Sequence, residues 1–143
     1  HPAFGRRCTF EKTSPFPQTG FQLAVLEPGK PNCRYHRENA QEDFLVLSGE
    51  CLLLVNDEQR RLQAWDFVHC PPGVSHVFVG AGNGPCVILM IGHRPEKEQI
   101  FYPENASARR YGAEAPEPTP HPRTAYSDVP AWEGIAPPAW PLR

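Results

Sequence analysis

The chain has 143 residues, a formal net charge of −2, 18 prolines and an ordinary 10% of aromatic residues. That length fits one domain able to bury about two-thirds of its unfolded surface. A near-neutral balance without a basic stripe, and without any run of ~20 apolar residues, argues against nucleic acid and against a membrane as partners.

Residues 1–20 show little periodicity and carry Pro2, Pro15 and Pro17. They are expected to form an arm with one short strand near Cys8 to Phe10, of the kind that often crosses to a partner subunit. The chain opens on His1 rather than Met, so the lack of a signal-peptide pattern there carries little weight. Phe21 to Leu26 predicts a strand closed by the turn Glu27-Pro28-Gly29. From Cys33 to Gly49 the chain reads as a strand, a polar turn at Asn39 to Gln41, and a second strand. Side chains at i and i+2 of a strand share a face, so Arg34, His36 and Glu38 are expected on one side, and a hairpin would return Glu42 opposite His36. An imidazole and a carboxylate within reach of one ion are donors that Zn, Mn, Fe or Ni accept.

Glu50 to Val55 is apolar on both faces, so a second sheet must cover one and a partner subunit or the C-terminal arm the other. Asn56-Asp57-Glu58 turns into Gln59 to Leu62, Trp65-Asp66 turns again, and Phe67 to Cys70 returns. Pro71-Pro72-Gly73 then sets His76, a third donor, at the head of Val77-Phe78-Val79. Gly80 to Gly84 leads into the last strand, Pro85 to Ile91. Short strands between Gly/Pro turns, with no helix-period segment among them, predict an all-β sandwich or barrel over residues 21–92.

Residues 93–143 form an extension. Glu104 to Tyr111 predicts a short helix stopped by Gly112. Beyond Ala113 prolines recur too densely for helix or central strand. Trp132, Ile135 and Trp140 favour a tail packed on the barrel or on a neighbouring subunit over a disordered linker.

The five cysteines are odd in number and form no C-x-x-C pair. That argues against a zinc ribbon or a complete disulfide framework, and for reduced thiols in a cytoplasmic protein. Cys51 and Cys86 are expected as small buried hydrophobes, and Cys33, on the strand face opposite His36, is not expected to be a ligand. His69 is expected in the core or supporting a ligand. Arg34, if it follows His36 inward, can hold a substrate carboxylate with its guanidinium fork, or else pair with Glu38 or Glu42. Phe44 and Phe78 are candidates for the apolar wall of a pocket as well as for plain core.

The combined spacing resembles the cupin superfamily over roughly residues 20–92. Gly29, His36-Arg37-Glu38, Glu42 and Gly49 follow its first motif, and Trp65, Pro71-Pro72-Gly73 and His76 its second. The chain departs from the pattern in one extra residue between Gly29 and His36, and in Glu38, Trp65 and Gly80 where His, Gly and Asn are usual. The resemblance implies a double-stranded β-helix, or jelly-roll, barrel. It implies one divalent transition metal (Fe, Mn, Ni or Zn) on His36, Glu42 and His76, with Glu38 as a fourth ligand or as a carboxylate that orients an imidazole. The set is similar to that of 3-hydroxyanthranilate dioxygenases, which carry iron on two His and one Glu. The implied function is a metal-dependent enzyme acting on a small acidic or phenolic molecule, dioxygenase-like with iron and an isomerase or hydrolase-type Lewis acid with another metal. The alternatives are a non-catalytic module binding a metal or small ligand, and a structural barrel. Two-sided apolar strands and terminal arms suggest a homodimer, as is common among cupins.

Overall fold

The computed structural model describes residues 1–11 and 14–135. Five antiparallel strands form the larger sheet: β1 (Arg6–Thr9), β2 (Thr19–Leu26), β4 (Glu42–Ser48), β7 (Phe67–Cys70) and β9 (Cys86–His93), in the order β1-β2-β9-β4-β7. A three-stranded sheet packs against it, with β5 (Glu50–Val55) between β6 (Glu58–Gln63) and β8 (His76–Ala81). The last pair, β3 (Arg37–Glu38) with β10 (Ile100–Phe101), sits where the extension meets the barrel. This is the all-β barrel that the short strands and Gly/Pro turns predict, in the jelly-roll form that the family resemblance implies. No helix of the described residues is long and apolar enough to cross a membrane.

Alternation decides what each sheet puts inside. Ala24 and Leu26 of β2, Phe44 and Val46 of β4, Cys51 and Leu53 of β5, Phe78 of β8 and Ile88 of β9 form one buried cluster between the sheets. Cys51 and Cys86 are wholly buried in it, as small apolar side chains. Phe78 is core: its ring lies 4.5 Å from that of Phe44 between centroids, tilted by 45°, and it does not line the cavity described below, so of its two expected places, pocket wall or plain core, it takes the second.

The second face of β5 and β8 is covered by the chain's own extension. Leu54, Val77 and Val79 pack with Cys33, Tyr35, Ala108 and Ala113. Helix α1 (Ala106–Arg110) begins at an Asn105 side chain that accepts the Ala108 N–H, and it ends before Gly112 at φ +67°. A second helix, α2 (Pro122–Ala125), forms where proline density argued against one, because Pro122 stands at a first-turn position whose N–H has no helical partner anyway. Within the chain, the N-terminal arm supplies β1, which pairs with β2 along Arg6↔Val25 to Thr9↔Gln22. Trp132 lies against His1 at 4.7 Å between rings, whereas Trp140 lies outside the described residues.

Gly80 stands in β8 where a Cβ would meet the Glu27 carbonyl oxygen at 2.2 Å, and its own N–H and C=O bond Lys30 and Gly29 at 2.9 and 2.8 Å. A methyl there must displace backbone. Gly80→Ala is therefore expected to cost about 3 kcal/mol in urea unfolding, and an unchanged midpoint would contradict this packing.

Candidate metal centre

Three of the four expected ligands converge, though by a different route from a simple hairpin. Residues 33–36 are irregular rather than a strand; His36 instead makes an isolated bridge to His76, with N–H···O distances of 3.2 and 2.8 Å in the two directions. Both imidazoles thus belong to the smaller sheet's side. Glu42 comes across the interior from β4, where its strand partners are Cys70 and Gly92, so the expected pairing of Glu42 opposite His36 is replaced by one carboxylate from the facing sheet.

The backbone fixes which ring nitrogens are available. His36 Nδ1 lies 2.7 Å from the Arg34 carbonyl and His76 Nδ1 lies 3.0 Å from the Val74 carbonyl. A carbonyl only accepts, so both Nδ1 atoms carry a proton, and Nε2 is the nitrogen each ring presents to an ion in its neutral form. Those Nε2 atoms lie 3.9 Å (His36) and 3.3 Å (His76) from Glu42 Oε2. The three donor atoms all fall within 4.8 Å of one another. Two donors each ~2.1 Å from a common ion at a right angle would be about 3 Å apart, so this cluster fits a single divalent ion.

Glu38 is nearby but is not a member of that mutual set; its Oε1 lies 3.3 Å from His36 Nε2. Burial pushes the Glu42 carboxyl up to about 7, with Glu38 and Glu98 adding to the rise and His36 opposing it. For His36, burial works against the charged form but is outweighed by Cys33, Glu38 and Glu42, which hold the imidazole well above its usual range. His76 goes the other way: burial and the neighbouring His36 lower it to about 4, so it is a neutral donor at any physiological pH.

These residues line a cavity of about 310 Å³ that also takes in Phe44, as expected, and Gln22, Asn32, Glu98, Tyr102 and Tyr126, which no motif spacing marked. A groove of about 1040 Å³ over Pro72, Gly73, Phe101 and Pro120 shares Glu38, Glu98, Ile100 and Tyr102 with it, so the two adjoin where the extension meets the barrel. Cys33 also lines the cavity, its Sγ 3.7 Å from His36 Nδ1, because the segment lacks the strand alternation that would have turned it away.

Two further expectations are corrected. Arg34 does not reach into the barrel: it is 3% exposed and its guanidinium donates to the carbonyls of Ala125, Gly112 and Glu114 and pairs with Asp128, all in the extension. Its donors are taken up there, and it clamps the extension to the barrel. His69 points outward from β7, where its Nδ1 lies 2.7 Å from Asp43.

A family model for the cupin domain matches residues 22–92. No curated protein matches the chain. Among solved structures, a candidate sugar phosphate isomerase from Acidithiobacillus ferrooxidans is similar, with 30% identity, a TM-score of 0.55, and 58% of this chain and 55% of that one covered. A sugar phosphate isomerase of the cupin superfamily from Silicibacter pomeroyi shares 27% identity at a TM-score of 0.58, covering 63% of this chain and 59% of that one. A cupin 2 domain-containing protein from Halorhodospira halophila aligns over 76% of each chain, with 21% identity and a TM-score of 0.59. The chain thus spans well under two-thirds of the two isomerase-named proteins.

Proposed function

Through its barrel the chain belongs to the cupin superfamily, and from that premise we propose that it is a metal-dependent enzyme that isomerises a small hydroxylated anion such as a sugar phosphate. The observation that carries the proposal is the convergence of His36 Nε2, Glu42 Oε2 and His76 Nε2, with both Nδ1 atoms already tied to backbone. When bound there, an ion supplies a Lewis acid that polarises a substrate oxygen. The residues around it suit proton transfer beside such an oxygen. Glu38 stands outside the donor set at the junction of cavity and groove, free to take a proton from a substrate carbon. The cavity is also lined by Gln22, which offers hydrogen bonds to hydroxyls, and by Arg7 and Arg94, which already bond the Asn32 carbonyl and Glu11 and keep N–H groups beyond those for a phosphate or carboxylate. Five free thiols support a reducing compartment such as the cytoplasm.

The test is proton exchange. Metal-loaded protein in D2O with a panel of aldose and ketose phosphates should incorporate deuterium at the carbon beside the carbonyl, followed by NMR. Glu38→Gln should keep its metal and lose the exchange. No exchange with any sugar phosphate would count against this reading. Two imidazoles and one carboxylate are also the donor set of non-haem Fe(II) oxygenases, which favours a second reading, oxidation of a small acidic or phenolic molecule with iron bound. An oxygen electrode distinguishes it. Metal binding with neither activity would leave a non-catalytic binding module.

Metal affinity should depend on pH with a definite sign. Below about 7 Glu42 holds a proton that the ion must displace, and His36 is held protonated by its neighbours, while His76 contributes no change above about 5. Affinity is therefore expected to fall ~10-fold per pH unit for each proton displaced as the pH drops from 8 to 6. Calorimetry in buffers of different ionisation enthalpy reads both the affinity and the released proton. A pH-independent affinity would contradict the assignment of Glu42 as a ligand.

A further inference from the structure

Tyr102 is a buried phenol without a partner. It is 3% exposed, and its hydroxyl bonds no other group among the described residues. The one side-chain oxygen or nitrogen among them that is both sealed from solvent and unbonded is Glu11 Oε1, so the Tyr102 hydroxyl opens onto the space it lines. A buried tyrosine O–H ordinarily finds a partner, because leaving it bare forfeits a hydrogen bond that water would have supplied. The ring is held in place. Its backbone N–H and C=O bond Thr119 at 2.9 and 3.2 Å, and between centroids it lies edge-on to Tyr126 at 6.0 Å and 5.9 Å from His36. Four residues line both the cavity and the groove: Glu38, Glu98, Ile100 and Tyr102. Ionised carboxylates only accept and Ile100 does neither, so the phenol is the one side-chain donor at that junction.

We propose that Tyr102 is a catalytic residue whose hydroxyl donates a hydrogen bond to a carbonyl or hydroxyl oxygen of the substrate, at the junction of cavity and groove. This role rests on the metal-dependent reading of the site and deepens it. When the C–H bond beside a substrate carbonyl breaks, the proton goes to Glu38. The electron pair left on carbon forms a carbon–carbon double bond and displaces the C=O π pair onto the oxygen. A donor already fixed beside that oxygen meets the new charge without reorganising, which is where a hydrogen bond contributes most. The phenol keeps its own proton through the step. Its ordinary pKa of about 10 leaves it protonated at neutral pH, and burial raises it further. Tyr102 lies outside residues 22–92, which match the family model, so the extension completes the site as well as covering the second face of β5 and β8.

Tyr102→Phe tests it, because a hydroxyl that bonds nothing among the described residues can be removed without disturbing the fold. The variant should keep the wild-type metal content and melt within about 2 °C of the wild type. Isothermal titration of the zinc-loaded full chain with acetohydroxamate, a small chelating anion that carries its charge on oxygen, should show at least ~10-fold weaker binding in the variant. With a sugar phosphate that exchanges, the variant's rate at saturating substrate should fall ~100-fold while KM changes by less than ~3-fold. Acetohydroxamate binding that depends on Tyr102, with no exchange on any sugar phosphate, would leave this role standing and sink the isomerase reading. Undiminished exchange in Tyr102→Phe would do the reverse. Acetohydroxamate that binds the variant as tightly as the wild type, or binds neither, would overturn the role. So would a large fall in melting temperature, which would mean that the hydroxyl is bonded within the fold.

Discussion

Arg34→Ala is expected to lower the thermal midpoint by roughly 10 °C and to weaken metal binding with it. The side chain is almost wholly buried, and it donates at 3.0 Å to Ala125 and Gly112 and at 2.6 Å to Glu114 while pairing with Asp128. Its guanidinium also lies 5.4 Å from the Phe4 ring and 5.9 Å from that of Tyr126. Truncation leaves these carbonyls without a donor in a largely buried site, a loss of about 3 kcal/mol. The same residue's carbonyl accepts the His36 Nδ1 proton, so the clamp that docks the extension also orients a ligand. Arg34→Lys should recover only part of the loss, since an ammonium cannot reach carbonyls and carboxylate with one planar fork. Calorimetry reads the midpoint, and limited proteolysis between 112 and 128 reads the docking. An Arg34→Ala protein that melts within a degree or two of the wild type, with its extension still protected, would contradict this role.

Glu42→Gln should reduce affinity for a divalent transition metal by at least ~100-fold, whereas Glu38→Gln should change it by less than ~10-fold. The two carboxylates are similarly covered and both lie near His36. They differ in reach: Glu42 Oε2 is within 4 Å of both Nε2 atoms, and Glu38 does not join the mutual donor set. Competition against a chelating dye separates them. Equal losses in the two variants would mean a four-ligand centre and would remove Glu38 as a free proton acceptor.

Much of this was legible in the residues. Short apolar runs such as Val87 to Ile91, set between Gly/Pro turns, told strand from helix, and Pro71-Pro72-Gly73 told where His76 begins its strand. What failed was parity over residues 33–36. The argument that Arg34 shares the inward face of His36 presumes an extended strand, and this segment is held instead by one bridge to His76 and by long-range bonds into the extension. With the alternation gone, Cys33 faces the cavity and Arg34 leaves it. The cavity's outer wall was illegible for a related reason. Tyr102, Tyr126 and Glu98 belong to the extension and reach the site only through tertiary packing, which no local period reports.

The central claim is that His36, Glu42 and His76 hold one transition-metal ion, and elemental analysis of protein purified without chelator or an affinity tag of histidines tests it most directly. One iron, manganese, nickel or zinc per chain is expected in the wild type, and loss of it in both Glu42→Ala and His76→Ala with circular dichroism unchanged. A wild-type protein that binds no metal even after anaerobic reconstitution would contradict the account.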